Sequence, residues 1–166
     1  MTTVAKSRSR ALLGTVPSLC ITFIGIQFIR PELKNPPVTA DLQATPEVKH
    51  ILQNSCYDCH SNQTRLPWFD KVSPASWIAT RDVKEGRKHL NFSEIGKIPA
   101  AQQKAVLFEA VYQIQQNTMP PPAYRLVHPG SAVTPEQLAA LKQYLNPVPT
   151  RAGLGSATTG ALKITP

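Results

Sequence analysis

The longest apolar stretch of the chain lies near its N-terminus. From Ala11 to Ile29 the sequence runs for 19 residues without a charge, and three basic residues precede it. A helix of about 20 apolar residues is long enough to span a bilayer. No small-residue cleavage site follows, since residues 27–31 read Gln-Phe-Ile-Arg-Pro. The pattern predicts an uncleaved signal anchor over residues 1–30; a cleaved signal and a buried core helix are the alternatives.

Four later segments have apolar residues at helical spacing. The first begins at Thr45, where Thr-Pro-Glu supplies an N-cap, a proline in the first turn and an acidic residue. The second begins at Ser73-Pro74 and ends near Gly86, the third covers residues 100–117, and the last begins with a capping box at Thr134. No strand pattern is present, so we expect an all-α domain with long loops.

Two segments lack this periodicity. Residues 31–45 contain three prolines and predict a linker, and residues 147–166 are rich in Gly, Ser, Thr and Ala and predict a disordered tail. The expected organisation is therefore an anchor at residues 1–30, a linker at 31–45, a globular domain at 46–146 and a tail at 147–166.

The charge of the chain is unevenly distributed. It carries 18 basic and 10 acidic residues, a formal net charge of +8, but residues 1–30 hold four of the basic residues and no acidic one. The remainder has no dense basic block interleaved with aromatic residues, so nucleic acid is not an expected partner. The basic flank of the apolar stretch should stay in the cytoplasm. The domain would then lie in the bacterial periplasm, tethered to the lipid bilayer of the inner membrane.

Residues 56–60 read Cys-Tyr-Asp-Cys-His, the C-x-x-C-H pattern that is typical of a c-type haem attachment site. Two thiols on one turn can each bond a vinyl group of the porphyrin, and the adjacent histidine can point its ring at the iron. The motif predicts one covalently attached haem c, with Cys56 and Cys59 as thioether residues and His60 as the proximal iron ligand. A thioredoxin-like dithiol, which needs a βαβ context, and a zinc site, which needs further ligands, are the alternatives.

A six-coordinate haem needs a second axial ligand, and Met119 is the best candidate because the only other methionine is the initiator. It follows the third of these helices and precedes Pro120-Pro121-Pro122, whose stiff backbone would hold a weak thioether ligand in place. A simple packing role is the alternative for Met119. The rival ligands are His50, His89 and His128.

Three aromatic residues are candidates for the haem pocket, because each combines an apolar ring with a polar group: Trp68, Trp77 and Tyr124. Each could equally be an ordinary core residue. Three arginines could pair with the haem propionates, although an exposed surface position is the usual one for this residue type: Arg81, Arg87 and Arg125.

Together these motifs resemble the small bacterial haem-binding domain family, whose members are single-haem, cytochrome-c-like proteins that often have an N-terminal membrane segment. The resemblance covers residues 27–145 and depends on QFIRP at 27–31, NPP at 35–37, SCYDCHSN at 55–62, PW at 67–68, EGR at 85–87, LNFS at 90–93, MPP at 119–121 and YRLVHP at 124–129. It implies haem attachment at Cys56 and Cys59, proximal ligation by His60 and distal ligation by Met119. One departure is Ile95, where an aromatic residue would be expected.

We therefore expect a small cytochrome-c-like helical domain with long loops around one haem, preceded by a membrane helix. Its expected function is single-electron transfer with redox partner proteins at the membrane, without enzymatic activity. The alternative is a haem-based gas or redox sensor, or a ligand-binding module, with an open or labile distal site. A catalytic haem such as a peroxidase would need a distal acid–base pair, for which His128 and Arg125 are the candidates.

Overall fold

The computed structural model describes the backbone of residues 3–146 and the side chains of residues 15–146; the predicted tail at 147–166 lies outside the described residues. Within these bounds the chain is all-α, as the sequence predicts, and contains no strand. Two short 3-10 turns lie at Phe69–Lys71 and Ile95–Lys97. The α-helices are α1 (Thr3–Ile26), α2 (Pro46–Ser55), α3 (Tyr57–His60), α4 (Ala75–His89), α5 (Ala100–Gln115), α6 (Pro122–Val127) and α7 (Pro135–Leu145).

Several helix starts follow local capping signals. The side chain of Thr45 accepts a hydrogen bond from a backbone N–H in the first turn of α2. Thr134 and Gln137 form the predicted capping box at the start of α7. Helix α4 continues for almost a turn beyond its predicted end, so that Gly86 lies inside the helix. Helix α6 was not predicted; its first residue is Pro122, at a position where proline sacrifices no hydrogen bond.

Helix α1 covers most of the apolar N-terminal stretch but ends at Ile26. Just beyond that end, the side-chain amide of Gln27 donates to the carbonyl of Ser73 at 3.0 Å and accepts from the Ser73 N–H at 2.9 Å. The indole N–H of Trp77 donates to the carbonyl of Ile29 at 2.6 Å. In the part of the chain that the structure describes, no helix is both long and apolar enough to cross a membrane. The membrane helix predicted within residues 1–30 is therefore not found.

Residues 31–45, the predicted linker, form no helix, and part of this segment is hydrogen-bonded to the domain. The N–H groups of Thr39 and Ala40 donate to the carbonyl of Ser93 at 3.2 and 3.0 Å, and the N–H of Leu42 donates to the carbonyl of Phe92 at 2.9 Å. The side chain of Leu42 is buried in the core. The segment therefore lies along the domain, because its backbone groups and its apolar side chain find partners there.

The hydrophobic core lies where α2, α5 and α7 pack together with the end of residues 31–45 and the 3-10 turn at Ile95–Lys97. Its buried members are Leu42, Val48, Ile51, Leu52, Tyr57, Phe92, Ile95, Leu107, Val111, Ile114, Leu141 and Leu145. Helices α3 and α4 and the 3-10 turn at Phe69–Lys71 form the other half of the domain. Among the described residues, α4 and α5 do not pack directly on each other. A large cavity lies between them.

Candidate functional site

The C-x-x-C-H motif forms a tight helical turn at the junction of α2 and α3. The N–H of Cys56 donates to the carbonyl of Leu52 at 2.8 Å, which closes the end of α2. The N–H of His60 then donates to the carbonyl of Cys56 at 2.9 Å. This turn brings Cys56, Cys59 and His60 to the wall of one cavity.

That cavity has a volume of about 770 Å³, within the range of roughly 300–1,000 Å³ that is usual for ligand and cofactor sites. Residues of the motif turn, of α4, of α5 and of the segment that follows α5 line it. They include Cys56, Cys59, His60, Asp82, Glu85, Gly86, His89, Leu90, Phe92, Val106, Glu109, Ala110, Gln113, Ile114, Met119, Pro120, Pro121 and Tyr124. The wall is mainly apolar, as the porphyrin ring requires.

The imidazole of His60 is oriented by the backbone. Its Nδ1 lies 3.0 Å from the carbonyl of Leu90, just after the end of α4. Because a carbonyl only accepts, this contact assigns the proton to Nδ1 and leaves a lone pair on Nε2, as in most metal-binding histidines. Burial lowers the pKa of His60, against the opposing effect of the carbonyls of Leu90 and Gly86. The ring is therefore held in the neutral form that can bind iron.

Gly86 allows α4 to pass directly over the motif turn. A Cβ at this position would lie 2.6 Å from the carbonyl oxygen of Cys59 and 3.3 Å from its Cβ. Residues with side chains are excluded at that distance, so glycine is required by the close approach. The sequence shows this glycine, but a lone glycine near the end of a helical pattern indicates a helix end and not a close approach.

The two motif thiols are not in a disulfide bond and are not activated. Burial, followed by the charge of Cys59, raises the pKa of Cys56 to about 12. Burial, followed by the charges of Asp58, Asp82 and Asp70, raises the pKa of Cys59 to about 12. Thioredoxin-like dithiols have lowered pKa values, so this alternative loses support. In residues 15–146, no group of three or more His, Cys, Asp or Glu is placed to hold a metal ion.

Met119 lines the same cavity, although it lies far from the motif in the sequence. Asn117 adopts a left-handed backbone conformation, with φ of 58°, which ends α5 and turns the chain. The N–H groups of Thr118 and Met119 then donate to the carbonyl of Gln113 at 3.1 and 3.3 Å. The structure therefore brings all four predicted attachment and ligand residues to one cavity.

Only one of the three predicted aromatic pocket residues lines this cavity. Tyr124 does so, whereas Trp68 is 76% exposed and contacts Phe69 edge to face. Trp77 is engaged by the carbonyl of Ile29, on the face of α4 that meets the end of α1. The geometry does not support the prediction that Trp68 and Trp77 belong to the haem pocket, because neither ring lines the cavity that contains the motif.

The rival ligands are placed differently from Met119. His128 lies between Asp70 and the carbonyl of Tyr124 and does not line the cavity, and His50 lies beside Asn54 on the exposed face of α2. His89 does line the cavity, at the end of α4. Of the three arginines, Arg87 donates to four backbone and side-chain acceptors, Arg81 pairs with Asp82, and Arg125 donates to the carbonyl of Asn117 at 3.4 Å.

An all-α domain that brings C-x-x-C-H and a methionine to one apolar cavity defines a haem-binding class of protein. The residues present fit this group, because a neutral histidine with a lone pair on Nε2, two thiols and an apolar wall meet at one site. The sequence model of the haem-binding domain family matches residues 21–147, and the chain belongs to this family. No curated protein and no solved structure matches the chain.

Proposed function

We propose that the protein carries a single c-type haem and transfers single electrons. Cys56 and Cys59 form the thioether bonds, His60 is the proximal ligand and Met119 is the distal ligand. One observation supports this assignment above all: these four side chains, which come from two distant parts of the sequence, line the same cavity. When bound, the haem supplies a one-electron couple between ferrous and ferric iron.

The residues of the chain have separate tasks in this proposal. His60 keeps its lone pair on Nε2, because the carbonyl of Leu90 holds the proton on Nδ1. The rings of Phe92 and His60 meet edge to face, with centroids 6.5 Å apart, and this contact limits rotation of the ligand. Apolar residues of α5 line the other wall of the cavity, where they would pack against the porphyrin: Val106, Ala110 and Ile114. A methionine–histidine pair favours the reduced form relative to stronger donor pairs.

We further propose that α1 attaches the domain to the periplasmic face of a bacterial inner membrane. The apolar side chains in its described half are 48–70% exposed: Val16, Leu19, Ile21, Phe23 and Ile24. Exposed apolar side chains on a helix need an apolar environment, and the surface of a lipid bilayer supplies one. Redox partner proteins at the membrane are the proposed donor and acceptor.

A haem-based sensor or ligand-binding module is the second candidate, and one observation favours it. Met119 is 39% exposed and is carried by a segment outside the hydrophobic core. A weak thioether ligand in such a place can be displaced by a small gas molecule. The two candidates differ in whether the distal position is closed in the resting protein.

Covalent attachment is tested by extracting the purified protein with acidified organic solvent. We expect the haem to stay with the protein, and to become extractable in the Cys56→Ser, Cys59→Ser double variant. A Cys20→Ser variant is the matched control, because this exposed cysteine lies outside the motif. Complete extraction from the wild-type protein would contradict the c-type assignment, while leaving haem binding itself intact.

The distal ligand is tested by absorption spectra of Met119→Ala. We expect loss of the sulfur-to-iron charge-transfer band and rapid binding of carbon monoxide, whereas wild-type ferrous protein binds it slowly. Val106→Ala is the control, because Val106 lines the cavity but has no donor atom. An unchanged spectrum in Met119→Ala would remove this residue from the iron, and rapid binding to the wild-type protein would favour the sensor.

A further inference from the structure

A hydrogen bond that involves none of the proposed ligands connects α6 with the motif turn. The hydroxyl of Tyr124, in α6, donates to Oδ2 of Asp58 at 3.0 Å. Asp58 stands between the two motif cysteines, and its Oδ1 accepts from the N–H of Arg65 at 2.8 Å. Burial and the charge of Asp58 raise the pKa of Tyr124 above its ordinary value, so its hydroxyl keeps the proton that it donates. The segment after Met119 is thus bonded to the motif turn.

A second contact secures the same segment. The rings of His128 and Tyr124 stack with centroids 3.8 Å apart and planes 12° apart. Nδ1 of His128 lies 3.0 Å from the carbonyl of Tyr124, and its Nε2 lies 2.8 Å from Oδ2 of Asp70. Asp70 is only 8% exposed. Removing one partner of such a shielded pair leaves the other without compensation, which makes the contact costly to break.

The segment that carries Met119 is therefore fixed on both sides, by α5 before it and by α6 after it. On one side, the carbonyl of Gln113 in α5 accepts from the N–H of Met119. On the other, the short proline-rich stretch at 120–122 leads directly into Tyr124. Because proline fixes φ, this stretch has few backbone conformations, so the position of α6 constrains the position of Met119.

We infer that Tyr124 and His128 are positioning residues that hold the Met119 segment against the motif turn and thereby set how firmly the distal coordination position is closed. The inference rests on the proposed ligation by Met119. It accounts for two features that the ligand assignment leaves unused: the aspartate inside the C-x-x-C-H motif, and the pair formed by His128 and Asp70. Release of α6 opens the distal position without any change in the four proposed attachment and ligand residues.

The test uses the full-length haem-loaded protein and measures the rate of carbon monoxide binding to the ferrous form. That rate is proportional to the population in which the distal position is open. Tyr124→Phe removes one hydroxyl and keeps the stacked ring, so we expect the rate to rise about two- to tenfold, the effect of one hydrogen bond. His128→Ala also leaves Asp70 without its partner, and we expect a rise of about tenfold or more.

Two matched controls separate positioning from general destabilisation. Tyr144→Phe removes a hydroxyl that donates to the carbonyl of Gln43 at 2.6 Å, between α7 and residues 31–45. His50→Ala removes an exposed histidine of α2. Both should leave the rate and the sulfur-to-iron charge-transfer band unchanged. Because Tyr124→Phe changes a single atom, it keeps the inference testable if His128→Ala does not fold.

The outcomes distinguish this inference from the proposed function. A wild-type protein without the charge-transfer band would overturn ligation by Met119 and, with it, the positioning role. A wild-type protein with the band, but with unchanged carbon monoxide rates in both Tyr124→Phe and His128→Ala, would overturn the positioning role alone. Equal rises in the control variants would also overturn it, because the effect would then follow from stability.

Discussion

At the scale of single residues, the site depends on one position where a side chain is not tolerated. Gly86 lies within α4, where glycine costs about 1 kcal/mol relative to alanine. A Cβ there would nevertheless meet the Cys59 carbonyl at 2.6 Å, a contact with backbone that no side-chain rotation can relieve. The close approach therefore outweighs helix propensity.

We predict that Gly86→Ala lowers the free energy of unfolding by about 1–2 kcal/mol, because overpacking a tight contact costs more than the helix gains. Chemical denaturation of the haem-loaded protein measures the change. Gly25→Ala, at a position where nothing lies within 4 Å, is the control and should be neutral or slightly stabilising. Equal stability of Gly86→Ala and wild type would show that α4 can move away from the motif.

Tyr57, the first residue between the motif cysteines, is held by a charged cluster. Its hydroxyl donates to Asp41 at 3.1 Å and accepts from Lys49 at 2.7 Å, and Lys49 also pairs with Asp41. Its ring stacks on Phe92, with centroids 5.2 Å apart. Burial, together with the charge of Asp41 and the hydrogen bond to it, raises the pKa of Tyr57 above its ordinary value.

This shift predicts a loss of stability at alkaline pH. Above pH 10 or so the unfolded chain releases the Tyr57 proton while the folded chain keeps it, so the free energy of unfolding falls as the pH rises. The contribution is fully present below the ordinary tyrosine pKa. Denaturation curves at several pH values should show a shallower alkaline decline in Tyr57→Phe than in wild type. Identical declines would mean that other groups cause the loss.

At the scale of elements, one arginine of α4 joins three segments. The guanidinium of Arg87 donates to the carbonyls of Ser61 and Lys34 at 2.7 Å each. It also donates to the side chains of Asn35 and Thr64, at 2.7 and 2.9 Å. Residues 31–45, the loop after the motif and α4 are therefore held together by the planar arrangement of donors that only arginine has.

We predict that Arg87→Lys lowers the free energy of unfolding by about 1.5–3 kcal/mol, because an ammonium group cannot reach all four acceptors. Urea denaturation measures the loss. Arg81→Lys serves as the control, since Arg81 forms an exposed pair with Asp82 that contributes about 0–1 kcal/mol. A loss of the same size in both variants would contradict a joining role for Arg87.

At the scale of the whole molecule, the cavity separates two unequal halves. The buried core belongs to α2, α5 and α7, whereas α4 contributes Val83 apart from that cluster. Within residues 15–146, α4 meets α5 only across the cavity. A haem that fills this space would contact both walls and would couple the two halves.

We therefore predict a graded response to loss of haem. In the haem-free chain, amide hydrogen exchange should accelerate strongly in α4 and the turn at Phe69–Lys71, and much less in α5 and α7, which keep their mutual packing. The haem-loaded protein is the reference. Uniform acceleration over all helices would show that the domain unfolds as one unit without haem.

Local signals in the sequence were sufficient for some features and insufficient for others. Some features depend on only a few neighbouring residues, so they can be predicted from the sequence without knowing the fold. They are the helix caps at Thr45 and Thr134 and the C-x-x-C-H motif. Trp68 and Trp77 were assigned to the pocket from residue type, but the direction of a ring depends on which face of the domain its segment covers. The partners of residues 31–45 come from distant segments, which no local pattern identifies.

The contacts just after α1 have a geometric consequence. The side chain of Gln27 forms two hydrogen bonds with the backbone of Ser73, and the indole of Trp77 donates to the carbonyl of Ile29. These contacts fix the end of α1 relative to the first turn of α4. A surface that binds α1 would therefore always meet the haem cavity in the same orientation. The joint therefore fixes the orientation of the domain relative to α1, and under the proposed electron transfer partner proteins would meet the same side of the haem cavity each time.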